Sequence, residues 1–188
     1  TERAKRYILK AARRYNTTLL VATGSSPVVI PIEGLDGVAQ KFTFMSLDDA
    51  MKLDKALTPV SRVLIMGAGL VGLKCAEGIA KRVGGVTVVD LADRILPAVL
   101  DIEGSKIIKE HIEKHGVSFK LSVKVDKFEG NEAVLSNGER VGFDILVIAI
   151  GVRPNTELLR GIAEIKRGIV IDEGCKTTAE DIYAAGDC

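Results

Sequence analysis

The chain has 188 residues, with 26 Lys+Arg against 25 Asp+Glu, 47% hydrophobic residues and 27% charged residues. That length and balance describe a globular protein of one domain or two small ones, with enough chain to bury a core. A formal net charge of +1 excludes a general nucleic-acid binder, which needs a clear basic excess to neutralise phosphates, and the longest apolar run, Ile145 to Ile150, is too short to span a membrane.

The aromatics are three Tyr and five Phe, with no Trp. The core must therefore be aliphatic, as in strands covered on both faces by helices. Cys75, Cys175 and Cys188 are widely separated and form no C-x-x-C pair. An odd, sparse set fits reduced thiols and a cytoplasmic setting. No secretory leader is visible.

Residues 1–15 are basic and carry apolar positions at helical spacing, which reads as a solvated helix face rather than an anion-binding arm. Leu19 to Thr23 is a short apolar strand stopped by Gly24-Ser25-Ser26-Pro27. The stretch Val28 to Gly37, with its prolines and glycines, reads as a connector. Ser46 opens a helix over Leu47 to Leu57, with Asp48 and Asp49 in the first turn, where carboxylates suit the helix dipole.

Val63 to Met66 is a buried strand. It runs into Gly67-Ala68-Gly69-Leu70-Val71-Gly72, and a helix follows to about Val83, closed by Gly84-Gly85 as a C-cap. Val86 to Asp90 is the next strand. Asp101 caps a helix that stops at Gly116, and Val117 to Leu121 is a third strand. This β-α-β-α-β order predicts a parallel sheet with right-handed crossovers. Short strands over 124–129, 133–136 and 140–143, joined at Gly130-Asn131 and Asn137-Gly138, predict an antiparallel meander. Asp144 to Ile150 returns to a fully apolar strand. Gly168 to Ile171 and Ile182 to Ala185 complete the set. The fold class is α/β, a Rossmann-type parallel sheet with a three-stranded antiparallel β-meander.

The glycine-rich turn follows a strand and opens a helix inside a βαβ unit, which is the context a dinucleotide fingerprint requires. Gly67 permits the tight turn, Gly69 lets backbone approach a pyrophosphate, and Gly72 lets the helix pack closely. Free N–H groups and the positive end of the helix dipole then face the phosphates. Asp90 stands eighteen residues after Gly72, where a carboxylate can accept from both ribose hydroxyls and repels a 2′-phosphate. Arg94 is the nearest base. The reading is NADH over NADPH, the alternative for Asp90 being a turn-capping aspartate.

Together these residues resemble the FAD-dependent pyridine-nucleotide reductases, the family that holds NADH oxidases, coenzyme A-disulfide reductases, rubredoxin and ferredoxin reductases and nitrite-reductase flavoproteins. Ala22-Thr23-Gly24-Ser25-Ser26-Pro27 resembles its A-T-G-x-x-P strand end. Gly67 to Gly72 with Asp90 and Asp93-Arg94-Ile95-Leu96-Pro97 resembles its NAD half. Ile150-Gly151-Val152-Arg153-Pro154-Asn155 resembles the exit from that half. Thr178 with Asp181 to Asp187 resembles its second flavin motif. Each is modest alone, and the ordered set is specific.

The resemblance implies NAD(H) and FAD as cofactors. Ala22, Thr23 and Gly24 would lie near FAD, with Gly186 and Asp187 on its ribityl chain. Ile150 and Gly151 would border the nicotinamide, and hydride would pass from NADH to the flavin. Residues 1–30 and 157–188 would be pieces of an FAD-binding domain around an NAD domain at 31–156. A first flavin motif and any redox cysteine would lie upstream of Thr1, and a dimerising interface domain downstream of Cys188. The piece is expected to bind NADH without turning over, with the electron acceptor unnamed. A non-catalytic NAD(H)-binding regulatory module is the alternative. The family commonly has Glu where this chain has Lys74. His111 and His115 share a helix face, but Glu113 fits neither zincin spacing, so no metal is expected, and no catalytic side chain is assigned.

Overall fold

A computed structural model describes Lys10, Ala11 and residues 17–188. The basic stretch over 1–15 lies outside the described residues except for Lys10 and Ala11, which are helical. The chain divides into two units. One joins the chain up to Ser26 with Val152–Cys188, and the other is Pro27–Gly151.

The Pro27–Gly151 unit holds β3 (Lys41–Thr43), α1 (Leu47–Ala56), β4 (Arg62–Met66), α2 (Leu70–Ile79), β5 (Gly85–Val89), α3 (Ile102–Glu113), β6 (Val117–Lys120), β7 (Val125–Phe128), β8 (Glu132–Leu135), β9 (Arg140–Gly142) and β10 (Ile145–Ile148). Five strands form a parallel sheet in the order β3-β10-β4-β5-β6. Strands β7, β8 and β9 form a separate antiparallel sheet. Gly130 and Gly138 take positive φ at its two turns.

Alternation along the strands decides what covers each face. Val63 and Ile65 of β4, Val86 and Val88 of β5, and Ile145 and Val147 of β10 share a cluster with Leu53, Leu73, Ala76 and Ile79 of the helices. The intervening Leu64, Met66, Leu146 and Ile148 pack instead with Val125, Phe128, Ala133 and Leu135 of the meander and with Phe143. The rings of Phe128 and Phe143 meet edge to face at 5.7 Å. Helices therefore cover one face and the meander the other, which corrects the expectation of helices on both. The composition is the same in either case, because both faces are dry.

Local signals set the helix ends. The Ser46 hydroxyl accepts from the Asp49 N–H while the Asp49 carboxylate accepts from the Ser46 N–H, a reciprocal cap worth about 1 kcal/mol. Asp101 accepts from the Gly104 N–H at 2.8 Å and starts α3. Helix α2 ends differently from expectation. It runs into a 3-10 turn over Ala80–Arg82, and neither Gly84 nor Gly85 has positive φ. Gly84 is there for space, since a Cβ would lie 2.8 Å from the Val60 carbonyl oxygen.

The other unit holds β1 (Leu19–Val21), β11 (Val152–Pro154), β12 (Ile182–Ala184) and the start of β2 (Ser25–Pro27). Strands β1 and β12 pair in parallel, Leu19 opposite Ile182 and Val21 opposite Ala184. Val21, Leu159, Ile169, Ile182 and Ala184 form its core. The strand expected over 168–171 is replaced by isolated bridges, Ile165 with Ile169 and Ile171 with Thr177. The chain crosses between units at Ser26 and Gly151, a few residues before each expected boundary. The cause is the pairing of β2 with β11 and a set of bonds around Asn155. Its N–H donates to the Gly24 carbonyl at 2.9 Å, its Nδ2 to the Thr23 carbonyl at 2.9 Å, and its Oδ1 accepts from Ser26 Oγ at 2.7 Å.

Candidate functional site

In the Pro27–Gly151 unit the candidate residues gather at the carboxyl ends of β4, β5 and β10, where open parallel sheets bind ligands. Gly67 has φ +112, and a Cβ there would lie 2.3 Å from the Ala149 carbonyl oxygen. This glycine lets the turn lie against the strand that leads to Ile150 and Gly151. A Cβ on Gly72 would lie 2.0 Å from the Gly67 carbonyl oxygen, so its absence lets α2 sit on the turn. Gly69 meets the opposite situation, with open space where its Cβ would be. It is the N-cap of α2 and supplies no side-chain cap. The first amides of the helix therefore lack intrahelical acceptors, and the dipole end is free to take an anion.

Asp90 closes the turn from the next strand. Its Oδ2 accepts from the Ala68 N–H at 2.6 Å and its Oδ1 from the Ala92 N–H at 2.8 Å. The turn-capping role and the ribose-binding role are thus compatible: a carboxylate offers about four acceptor sites, and two are used here. Arg94 Nη1 pairs with Asp93 Oδ1 at 2.9 Å. Its Nε is buried and has no hydrogen-bond partner among the described residues, an orphan donor of the kind a bound ligand can satisfy. Leu70 and Val71 are exposed on the first turn of α2. Gly151 has φ +117 and open space at its Cβ position. Lys74 is solvent-facing and pairs with Glu77 at 2.6 Å.

One residue of the Asp93–Pro97 motif contributes through its backbone. Leu96 has φ +50, uncommon for a branched side chain, and its N–H donates to the Ala68 carbonyl at 3.0 Å. No local residue pattern signals that conformation.

In the other unit, the parallel pairing of β1 with β12 makes Ala22–Gly24 and Ala185–Asp187 leave the sheet at the same end. The Ala185 N–H donates to the Val21 carbonyl at 3.0 Å. Gly24 and Gly186 both take positive φ with open space at the Cβ position. Ser25 Oγ donates to Asp187 Oδ2 at 3.3 Å, and the Asp187 carboxylate is exposed. Thr23 Oγ1 is committed to the Asn155 carbonyl at 2.6 Å. This end can offer a carboxylate and bare backbone to a polyol ligand.

The thiols of Cys75 and Cys175 take no part in either cluster. Burial pushes the Cys75 thiol up to about 12, so it stays protonated and inert. Cys188 is buried with Sγ donating to the Ala185 and Val21 carbonyls. Cys175 is exposed. His115 Nδ1 lies 2.8 Å from the His111 carbonyl oxygen, and the described residues hold no group of three or more metal-ligating side chains. No helix among them is long and apolar enough to cross a membrane.

The family model for pyridine nucleotide-disulphide oxidoreductases matches residues 4–188. The chain belongs to that family. It is 36% identical to an NADH oxidase of Methanocaldococcus jannaschii over 179 residues, covering 90% of this chain and 39% of the relative. It is 34% identical to a rubredoxin-NAD(+) reductase of Pseudomonas putida, covering 90% of this chain and 46% of the relative. The chain thus spans less than half the length of these relatives. Among solved structures, the water-forming NADH oxidase from Lactobacillus brevis bound to NADH superposes with a TM-score of 0.85 at 27% identity, over 90% of this chain and 39% of that one. The putidaredoxin reductase of a covalent reductase–putidaredoxin complex gives 0.86 at 28% identity, over 91% of this chain and 43% of that one. The oxidoreductase fold of this family member is the one the sequence motifs imply.

Proposed function

We propose that this chain supplies the NADH site of an NADH-dependent flavoprotein oxidoreductase, in which hydride passes from NADH to FAD. The observation that carries the reading is the uncapped N-terminus of α2 at Gly69, held by the Asp90 carboxylate at the end of the next strand. In this reading the Gly69–Gly72 amides take the pyrophosphate, and the remaining acceptor sites of Asp90 take the ribose hydroxyls. Arg94 Nε gains an acceptor, and Ile150 and Gly151 border the nicotinamide. Ala22, Thr23, Gly24, Gly186 and Asp187 take the flavin side. Residues up to Ser26 and from Val152 belong to the FAD-binding part, and Pro27–Gly151 to the NAD-binding part. FAD supplies the redox chemistry when bound. The chain's own groups position the dinucleotide and hydrogen-bond its phosphates.

A comparison within the family supports NADH over NADPH. An engineered NADPH oxidase solved with NADPH bound is a five-fold mutant of the Lactobacillus brevis NADH oxidase, and it superposes on this chain with a TM-score of 0.84. Its changes replace a glycine, an aspartate, the two residues after that aspartate and a proline further on. Gly72, Asp90, Leu91, Ala92 and Pro97 stand at the same relative spacings here.

Relatives in this family carry names that include NADH oxidase, rubredoxin-NAD(+) reductase and nitrite reductase, and the reading takes from them NADH as the electron donor. The test is a titration of the chain with NADH followed by nicotinamide fluorescence, paired with the longer protein loaded with FAD. Saturable NADH binding, and bleaching of the yellow flavoprotein by NADH, are the expected results. A longer protein that keeps no yellow colour once free FAD is removed overturns the flavoprotein assignment in favour of a binding module.

A further inference from the structure

Ser105 lies on α3 with 1% of its surface exposed. Its Oγ donates to the Ile95 carbonyl at 2.8 Å. That carbonyl belongs to the same peptide unit as the Leu96 N–H, which donates to the Ala68 carbonyl at 3.0 Å. The Ala68 carbonyl in turn shares its peptide unit with the Gly69 N–H. In a planar trans peptide the C=O and N–H point in opposite directions, so the three donors lie in series: Ser105 hydroxyl, Leu96 amide, Gly69 amide. The last has no acceptor among the described residues and opens α2.

We propose that Ser105 is a positioning residue for dinucleotide binding, heading a hydrogen-bond chain that orients and polarises the Gly69 amide toward the pyrophosphate. Hydrogen bonds in series polarise one another, and the effect is retained where water is excluded, as it is around Ile95, which is fully buried. Leu96 makes its bond to the Ala68 carbonyl at positive φ, φ +50. The Ala68 peptides are then gripped twice, by Asp90 at the N–H and by Leu96 at the carbonyl.

This proposal rests on the reading of the Gly67–Gly72 turn as a pyrophosphate site, and its test separates the two. NADH and adenosine are each titrated against the wild-type chain, Ser105→Ala and Ser105→Thr, and the Gly69 amide resonance is recorded without ligand. Ser105→Ala is expected to weaken NADH binding by about 2- to 4-fold, a fraction of one charge-assisted hydrogen bond, because the hydroxyl reaches the phosphate only through the polarisation of intervening bonds. Adenosine, which has no phosphate, is expected to bind unchanged. Ser105→Thr, which keeps the hydroxyl, restores NADH binding, and the Gly69 amide proton moves upfield only in the Ala variant. An Ala variant that binds NADH like wild type, or that loses NADH and adenosine by the same factor, overturns the proposal. Wild-type chain that fails to bind NADH at all overturns the underlying reading, and the unliganded Gly69 shift then decides the hydrogen-bond chain separately.

Discussion

The Ala68 N–H donates to Asp90 Oδ2 at 2.6 Å across the gap between two neighbouring strands. The carboxylate therefore shapes the glycine turn before any ligand arrives. Asp90→Asn keeps the volume but turns one acceptor oxygen into a donor that faces either the Ala68 or the Ala92 N–H. The expected result is a loss of about 1–3 kcal/mol in a denaturant melt, the cost of one buried amide left unpaired. NADH affinity falls in the same variant, read by fluorescence titration.

Cofactor preference is the second test. Leu91 is 70% exposed, so a longer cationic side chain there meets no steric barrier. Asp90→Ala with Leu91→Arg removes the anion that repels a 2′-phosphate and adds a cation to receive it. The ratio of NADPH to NADH affinity is expected to rise by about 10- to 100-fold, the value of one or two charge-assisted contacts. An unchanged ratio would show that the ribose lies elsewhere.

Gly67→Ala tests the turn itself. The new Cβ would lie 2.3 Å from a backbone oxygen at a position of φ +112, and backbone has no rotamer with which to escape. The expected cost is about 2–4 kcal/mol of stability, measured by urea unfolding, with loss of NADH binding. Gly69→Ala, in open space, is expected to leave the melt nearly unchanged while weakening NADH.

A fourth expectation concerns acid. Glu129 is held down to about 2, first by its hydrogen bond with Lys127 and then by Arg140. Lys127 Nζ lies 2.6 Å from Glu129 Oε1, and Arg140 also pairs with Glu132 at 2.7 Å. A carboxyl depressed in the folded state stabilises above its unfolded value and loses that contribution as pH falls through the folded one. Wild type and Glu129→Gln should therefore differ most above about pH 4.5 and converge toward pH 2. These side chains are exposed to water, so the difference is small and shrinks with salt.

How much of this is legible in the residues depends on the range of the interaction. Ser46 with Asp49, Asp101 with Gly104, and Asn137-Gly138 are local devices, and each stands where the sequence places it. The parallel run of β4, β5 and β6, the meander and the glycine turn follow from periodicity and spacing. Strand β3 escapes such reading because it is three residues long, at the sheet edge and partly polar. Strand β11 escapes because Val152-Arg153-Pro154 has no alternation of its own and pairs only with β2. The face covered by the meander is hidden because Leu64 and Leu146 are as apolar as Val63 and Ile145. Ser105 is invisible in the sequence, and Leu96 shows only as part of the Asp93–Pro97 motif, since the hydrogen bonds they make join peptide groups from three separate segments.

The insertion of one unit within the other also has a consequence during synthesis. A chain that has emerged through Gly151 already carries every strand of the five-stranded sheet and the meander. Strand β1 at that point still lacks β12, which is translated later. The inserted unit can thus close on the ribosome, whereas β1 waits for its β12 partner until Ala184 is available. Pulse-labelled nascent chains should become protease-resistant over Pro27–Gly151 well before Leu19–Val21 is protected.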